Sequence, residues 1–163
     1  MTALGAGMVQ RLLPRQFDNR FDGQRAALWL LGALIALRLI MGVNSILNTE
    51  SVAVGADGFQ VDSYGADGAR AVLMLFALTA LGQLTIAAVA LTALVRYRSM
   101  VPFIYLLLLA DQLARRAIIG AWSVARDESA SAAFYIGWTL LLLPLLGLFL
   151  SLWPRARGDM REA

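Results

Sequence analysis

Hydrophobic residues in this chain are gathered into four long runs, at 26–47, 71–95, 101–124 and 132–153, with polar or glycine-rich stretches between them. Each run has about the 20 residues that a helix needs to cross a hydrocarbon layer roughly 30 Å thick. No convincing strand pattern interrupts them. Pro102 stands where a helix starts and Pro154 where one stops, both favourable places for proline, whereas Pro144 inside the fourth run predicts a kink. The third run is the weakest of the four, because "LLLLADQLARRAIIGAW" at 106–122 sets Asp111, Gln112, Arg115 and Arg116 among apolar neighbours. The pattern predicts an all-α fold, a four-helix bundle integral to a membrane.

The intervening stretches define the rest of the chain. Residues 1–25 are expected to form a cytoplasmic or interfacial segment, in which "VQRLLPRQFDNRF" interleaves basic and apolar residues as an interfacial segment on anionic lipid or a positive cytoplasmic flank does. The first run starts late, is too long for a signal peptide, and ends in "NSILNTE" without a small-residue cleavage pattern, so it is expected to be a retained span. An acidic outer loop is expected at 48–70 and a cytoplasmic tail at 154–163. Positive residues accumulate in short cytoplasmic segments. Arg11, Arg15, Arg20 and Arg25 precede the first run, Arg96 and Arg98 separate the second and third, and Arg155, Arg157 and Arg161 follow the fourth. Glu50, Asp57, Asp62 and Asp67 with Arg70 occupy one of the other connections, and Arg126, Asp127 and Glu128 the last. Both termini are therefore expected in the cytoplasm, as an even number of spans requires.

Composition narrows the chemistry. With 60% hydrophobic residues the chain lies above the roughly 45–50% of soluble domains. Cysteine and histidine are absent, which excludes disulfides, thiolate nucleophiles, histidine-ligated haem and the usual zinc sites. All 14 basic residues are arginine, so Schiff-base chemistry on lysine is excluded too. A net charge of +3 calls for no nucleic acid. A proteolytic Ser–His or Ser–Lys dyad cannot be built, and no glycine-rich phosphate loop follows a strand.

Depth arithmetic turns the third run into a candidate site. At about 1.5 Å per residue, Arg38 lies roughly 17 Å and Asp111 roughly 15 Å from the cytoplasmic side, so both reach the midplane. An isolated charge there costs about 2.5–3.5 kcal/mol or more, which makes an Arg38–Asp111 ion pair the economical arrangement. Asp111 and Arg115 share a helix face at i, i+4, while Arg116 is turned about 100° away. Three arginines, Arg38, Arg115 and Arg116, stand against one aspartate, and the surplus of two positive charges needs carboxylates from the outer loop, lipid headgroups, water or an anionic or polar ligand. Thr79, Gln83, Gln112, Asn44, Tyr135, Trp138 and Thr139 fall at similar depths or further out. The candidate binding residues are thus Arg38, Asp111, Arg115, Arg116, Gln112, Gln83, Asn44 and Tyr135. The competing expectations are polar groups that serve only as packing glue between helices, and an ion or proton path.

Two repeats stand out. The outer loop contains GADG at 55–58 and again at 65–68, expected to form solvated turns, with calcium ligation by its carboxylates as the alternative. "LRLIMG" at 37–42 and "RRAIIG" at 115–120 each place an arginine four residues before a glycine, which points to two hairpins related as a two-plus-two repeat.

The segment "ALRLIMGV" resembles the LR-x-x-x-G signature in the first helix of the DoxX-like superfamily of small bacterial four-span membrane proteins. The resemblance covers the spans, and it implies a multi-pass protein of the bacterial cytoplasmic (inner) membrane. Some members of that superfamily are subunits linked to quinone-dependent oxidation of sulfur compounds. The acid and paired arginines of "DQLARR" and the long acidic loop depart from the pattern. The expected function is a membrane binding or accessory protein, holding a lipid, a quinone or an anionic small molecule, or docking a membrane complex or a second copy of itself. The alternatives are an enzyme using Asp111 with Arg38 or Arg115, and a small transporter or channel.

Overall fold

The computed structural model describes residues 12, 16, 18–122 and 131–153, with side chains in the last segment from 135 onward. All regular structure among the described residues is helical: α1 (Arg25–Leu47), α2 (Thr49–Gly55), a 3-10 turn (Val61–Tyr64), α3 (Gly65–Arg96), a second 3-10 turn (Arg98–Met100), α4 (Val101–Ala121) and α5 (Ser131–Leu152). Three stretches, Arg25–Leu47, Val61–Arg96 and Tyr135–Leu152, are long and apolar enough to cross a membrane. Of the four runs expected to span, the first, second and fourth meet this measure, and the third, the weakest of the four, does not. α4 has the length of a span, but Asp111, Arg115 and Arg116 fall within two of its turns and lower its hydropathy.

α1 packs chiefly on α3 and α4 chiefly on α5, and the two hairpins meet through α1 against α5; α3 and α4 touch little. α1 supplies the common stripe. Its buried residues Ala27, Leu31, Leu34, Ile35, Arg38 and Gly42 recur at helical spacing and form one face. α3 answers with small residues, Ala80, Ala87, Ala90 and Ala93, which let the two backbones approach. A Cβ at Gly42 would stand 2.7 Å from Leu84 Cδ2, so a larger residue at this crossing requires the Leu84 side chain to shift. The outward face of α3, with Met74, Leu75, Leu78 and Leu81 all more than half exposed, is stable only where the surroundings are themselves apolar.

One end of the molecule is clamped. The Tyr105 hydroxyl donates to the Ala27 carbonyl at 2.6 Å, joining α4 to α1. The Gln24 amide donates to the Leu150 carbonyl at 3.2 Å, and Gly23 lies directly against the Ser151 carbonyl. Ser99 in the second 3-10 turn holds Asp18: its amide and its hydroxyl donate to the Asp18 carbonyl at 3.2 and 3.0 Å. Pro102 occupies the first turn of α4, where its missing N–H has no helical partner to lose. Pro144 is fully buried within α5 and returns no N–H to the Leu140 carbonyl.

The stretch 48–70, expected as an acidic loop with solvated turns at its two GADG sequences, is mostly helical. The first GADG closes α2 and turns at Gly58, with φ of 69°. The second opens α3: Gly65 enters with φ of 68°, and Asp67 lies in the first turn, where the helix dipole favours a carboxylate. Val61 is buried, and its 3-10 turn packs on α3. No cluster of potential metal ligands exists among the described residues, so the calcium alternative finds no support there. The arginine-rich segment 154–163 and the connection carrying Arg126, Asp127 and Glu128 lie outside the described residues, as does most of the interleaved N-terminal stretch.

Candidate functional site

Arg38 is the largest fully buried side chain of the molecule's described part, at 2% exposure. It lies on the stripe of α1 that faces the other helices, because Leu34, Arg38 and Gly42 follow one another at i, i+4. From α4, Asp111 meets it: Arg38 Nη1 donates to Asp111 Oδ2 at 3.3 Å. Asp111 is also held from its own helix, where Arg115 Nε donates to Oδ1 and Oδ2 at 3.1 and 3.2 Å. One carboxylate therefore bridges two guanidinium groups from two helices. Its Oδ2 accepts two of these bonds and its Oδ1 one.

The donor inventory does not close. A guanidinium carries five N–H donors, and Arg38 uses only those of Nη1; Nε and Nη2 are buried without a hydrogen-bond partner. An unmet buried donor costs about 1–3 kcal/mol, more for a charged group, so this edge of Arg38 is the least satisfied feature of the site. Exposure rises along α4, from Asp111 at 17% to Arg115 at 30%. The cluster thus opens on the Arg115 side and is sealed at Arg38.

Arg116 leaves this triad. Its guanidinium carbon lies 4.3 Å from the centroid of the Trp138 ring on α5, and its Nε is a further buried donor without a partner. Gly137 borders the stack, and an added Cβ there would be in ordinary van der Waals contact with Arg116 Nη2, at 3.6 Å. The electron-rich ring face supplies the attraction that a second carboxylate would have supplied. Glu50 and Asp62, the loop acids considered as counter-charges, are exposed and form no ion pair with Arg115 or Arg116.

The remaining candidates divide. Gln112 is buried one residue from Asp111, and Gln83 is half-buried at helical spacing from Ala80 and Ala87. Neither makes a side-chain hydrogen bond among the described residues. Asn44 does not join them: it is exposed and accepts from Asn48 Nδ2 at 2.8 Å, six residues and nearly two turns beyond Arg38. Tyr135, expected to face the cluster beside Arg115 and Gln112, is 68% exposed at the start of α5. Thr79 and Thr139 are exposed and return their hydroxyls to the carbonyls of Leu75 and Tyr135, four residues back, which meets their polar needs without a pocket. The LRLIMG and RRAIIG repeat does not make equivalent places, because Gly42 is in tight contact with Leu84 whereas nothing lies within 4 Å of a Cβ at Gly120.

Sequence reasoning missed the Tyr105 clamp and the Arg116–Trp138 stack. The first had a signal, a tyrosine within an apolar run, whose hydroxyl needs a partner when buried. A separate apolar groove of about 260 Å³, lined by Ala88, Val89, Thr92, Ala93, Tyr97 and Met100, lies between α3 and the turn before α4. It lies near the clamped end and shares no residue with the arginine cluster. No family model, curated protein or solved structure matches the chain, so the likeness to the DoxX-like superfamily rests on the "ALRLIMGV" segment alone.

Proposed function

We propose that this chain is a small integral membrane protein of the bacterial inner membrane, a four-helix bundle with both termini in the cytoplasm, which binds a polar small molecule against the Arg38–Asp111–Arg115 cluster. Three helices with the length and hydropathy of spans support the membrane assignment. α4 joins them as a fourth span in this reading because its Asp111 is paired with Arg38 of α1 instead of facing lipid alone. Arginine placement supports the orientation, with nine arginines in the two terminal segments and the 96–98 turn.

The observation that carries the binding role is the unfilled edge of Arg38: a side chain 2% exposed, with Nε and Nη2 lacking partners. Packing glue would be expected to satisfy its own donors, as the threonines of α3 and α5 do. The ligands compatible with the site are a polar lipid, a quinone or another small anionic molecule. Native mass spectrometry of the full chain, released from the membrane in mild detergent, tests the proposal. A small molecule retained at one per chain, and lost in Arg38→Gln, is the expected result. Retention of none, or of a partner protein only, would overturn it in favour of a structural or docking role.

A further inference from the structure

The donors that Arg38 leaves unused are a particular pair. Nη1 is taken by Asp111, and the free atoms are Nε and Nη2. In a planar guanidinium these two carry parallel N–H bonds along one edge, the geometry that meets both oxygens of a carboxylate or phosphate at once. A quinone carbonyl or an alcohol offers one acceptor and leaves half of the edge unmet. Resting on the binding role above, we infer that the free edge of Arg38 is an oxyanion fork, which takes the carboxylate or phosphate group of the ligand in a bidentate bond.

Charge points the same way. Arg38 and Arg115 against Asp111 leave the triad one positive charge in excess, and a single negative charge from the ligand brings it to neutrality. Arg116 is outside this balance, since it is stacked on Trp138. A cationic ligand would add to the excess, and a water molecule would supply acceptors but leave the charge. Arg115 marks the entry. It is the most exposed member of the triad and binds Asp111 through Nε alone, so its terminal nitrogens remain for an arriving anion. Gln112, buried beside Asp111, has a free amide for the rest of the ligand.

Two sources carry this chemistry, the phosphate of an anionic phospholipid and a free small oxyanion, and one experiment separates them. The full-length protein is placed in micelles of a phosphate-free maltoside detergent, with or without phosphatidylglycerol, and its thermal unfolding is followed as inorganic phosphate or acetate is added. A midpoint raised by phosphatidylglycerol alone assigns the fork to a lipid headgroup, and one raised by phosphate or acetate in maltoside without lipid assigns it to a free anion. In either case the half-saturating amount should rise at least tenfold in Arg38→Lys, which keeps the charge beside Asp111 but has no fork. It should rise severalfold in Arg115→Gln, which leaves the Arg38–Asp111 pair in place and serves where Arg38→Lys does not fold. Arg98→Gln, an exposed arginine far along the chain, should respond as the wild type. The inference is overturned if no anion shifts the midpoint, if Arg38→Lys responds as the wild type, or if Arg98→Gln loses the response equally. A neutral molecule retained in mass spectrometry and undisturbed by any anion would keep the binding role and remove the oxyanion fork. Loss of both signals removes both.

Discussion

The ring of Tyr105 on α4 fills the space that a side chain at Gly147 on α5 would need, while its hydroxyl reaches past to the Ala27 carbonyl of α1 at 2.6 Å. One aromatic residue thus ties three helices at the clamped end, and a glycine is what lets it in. Gly147→Ala should destabilise the protein by about 1–3 kcal/mol through overpacking. Tyr105→Phe should cost about 1 kcal/mol, the net worth of one hydrogen bond. The alanine at 147 should become nearly harmless in a Tyr105→Ala background. Equilibrium unfolding in mixed detergent micelles measures all three, and equal penalties for Gly147→Ala in both backgrounds would show that the ring is not what excludes it.

Arg38 and Asp111 should behave as one unit. Removing either partner leaves a buried charge uncompensated, so Arg38→Ala and Asp111→Ala should each cost about 3–5 kcal/mol. The double variant should cost clearly less than the sum, because it leaves neither charge behind at this contact. The same unfolding assay reads the coupling, and strictly additive losses would mean that the two residues do not stabilise one another.

The pair was legible from the sequence for a simple reason. Distance along a helix is fixed by its rise, so two charges in long apolar helices could be placed at one depth, and the cost of leaving either alone made pairing the economical outcome. Helix existence was legible on the same ground: the runs at 26–47 and 101–124 became Arg25–Leu47 and Val101–Ala121. Facing was harder. Asn44 and Tyr135 were placed by depth, yet which way each points depends on a rotation of about 100° per residue that a nearly all-apolar helix does not mark with polarity. Composition read both GADG sequences at 48–70 as turns, and only the first is one. Gly65 does turn, but only to start α3, and Asp67 then serves its N-terminus. The Arg116–Trp138 stack had no linear signal at all, since it depends on how α4 lies against α5.

Topology follows from the proposed four crossings. A reporter fused to the C-terminus should be active on the cytoplasmic side, and one inserted beside Asp57 or between α4 and α5 should report the opposite side. Dual reporters of complementary activity check this in cells. A cytoplasmic signal from the α4–α5 connection would mean that α4 does not cross, and that Asp111 and its arginines lie at a surface instead of within the membrane.

Arg116 should depend on Trp138 and hardly on Asp111. The guanidinium is 4.3 Å from the ring centroid, and Trp138 is 41% exposed, so the stack is only partly shielded. A cation over an indole ring at such a site contributes about 1 kcal/mol, between the values for exposed and desolvated pairs. Arg116→Gln and Trp138→Leu should therefore show a coupling of about that size in a double-mutant cycle. Arg116→Gln combined with Asp111→Asn should be close to additive, because Asp111 accepts from Arg38 and Arg115 and not from Arg116. Indole fluorescence gives a second reading. The chain has four tryptophans, so the measurement uses a background in which Trp29, Trp122 and Trp153 are replaced by phenylalanine. In that background Arg116→Gln should change the emission of Trp138, whereas Arg115→Gln should leave it as it was. An emission change from Arg115→Gln and none from Arg116→Gln would exchange the roles of the two neighbours, placing Arg115 on the ring and Arg116 on the carboxylate.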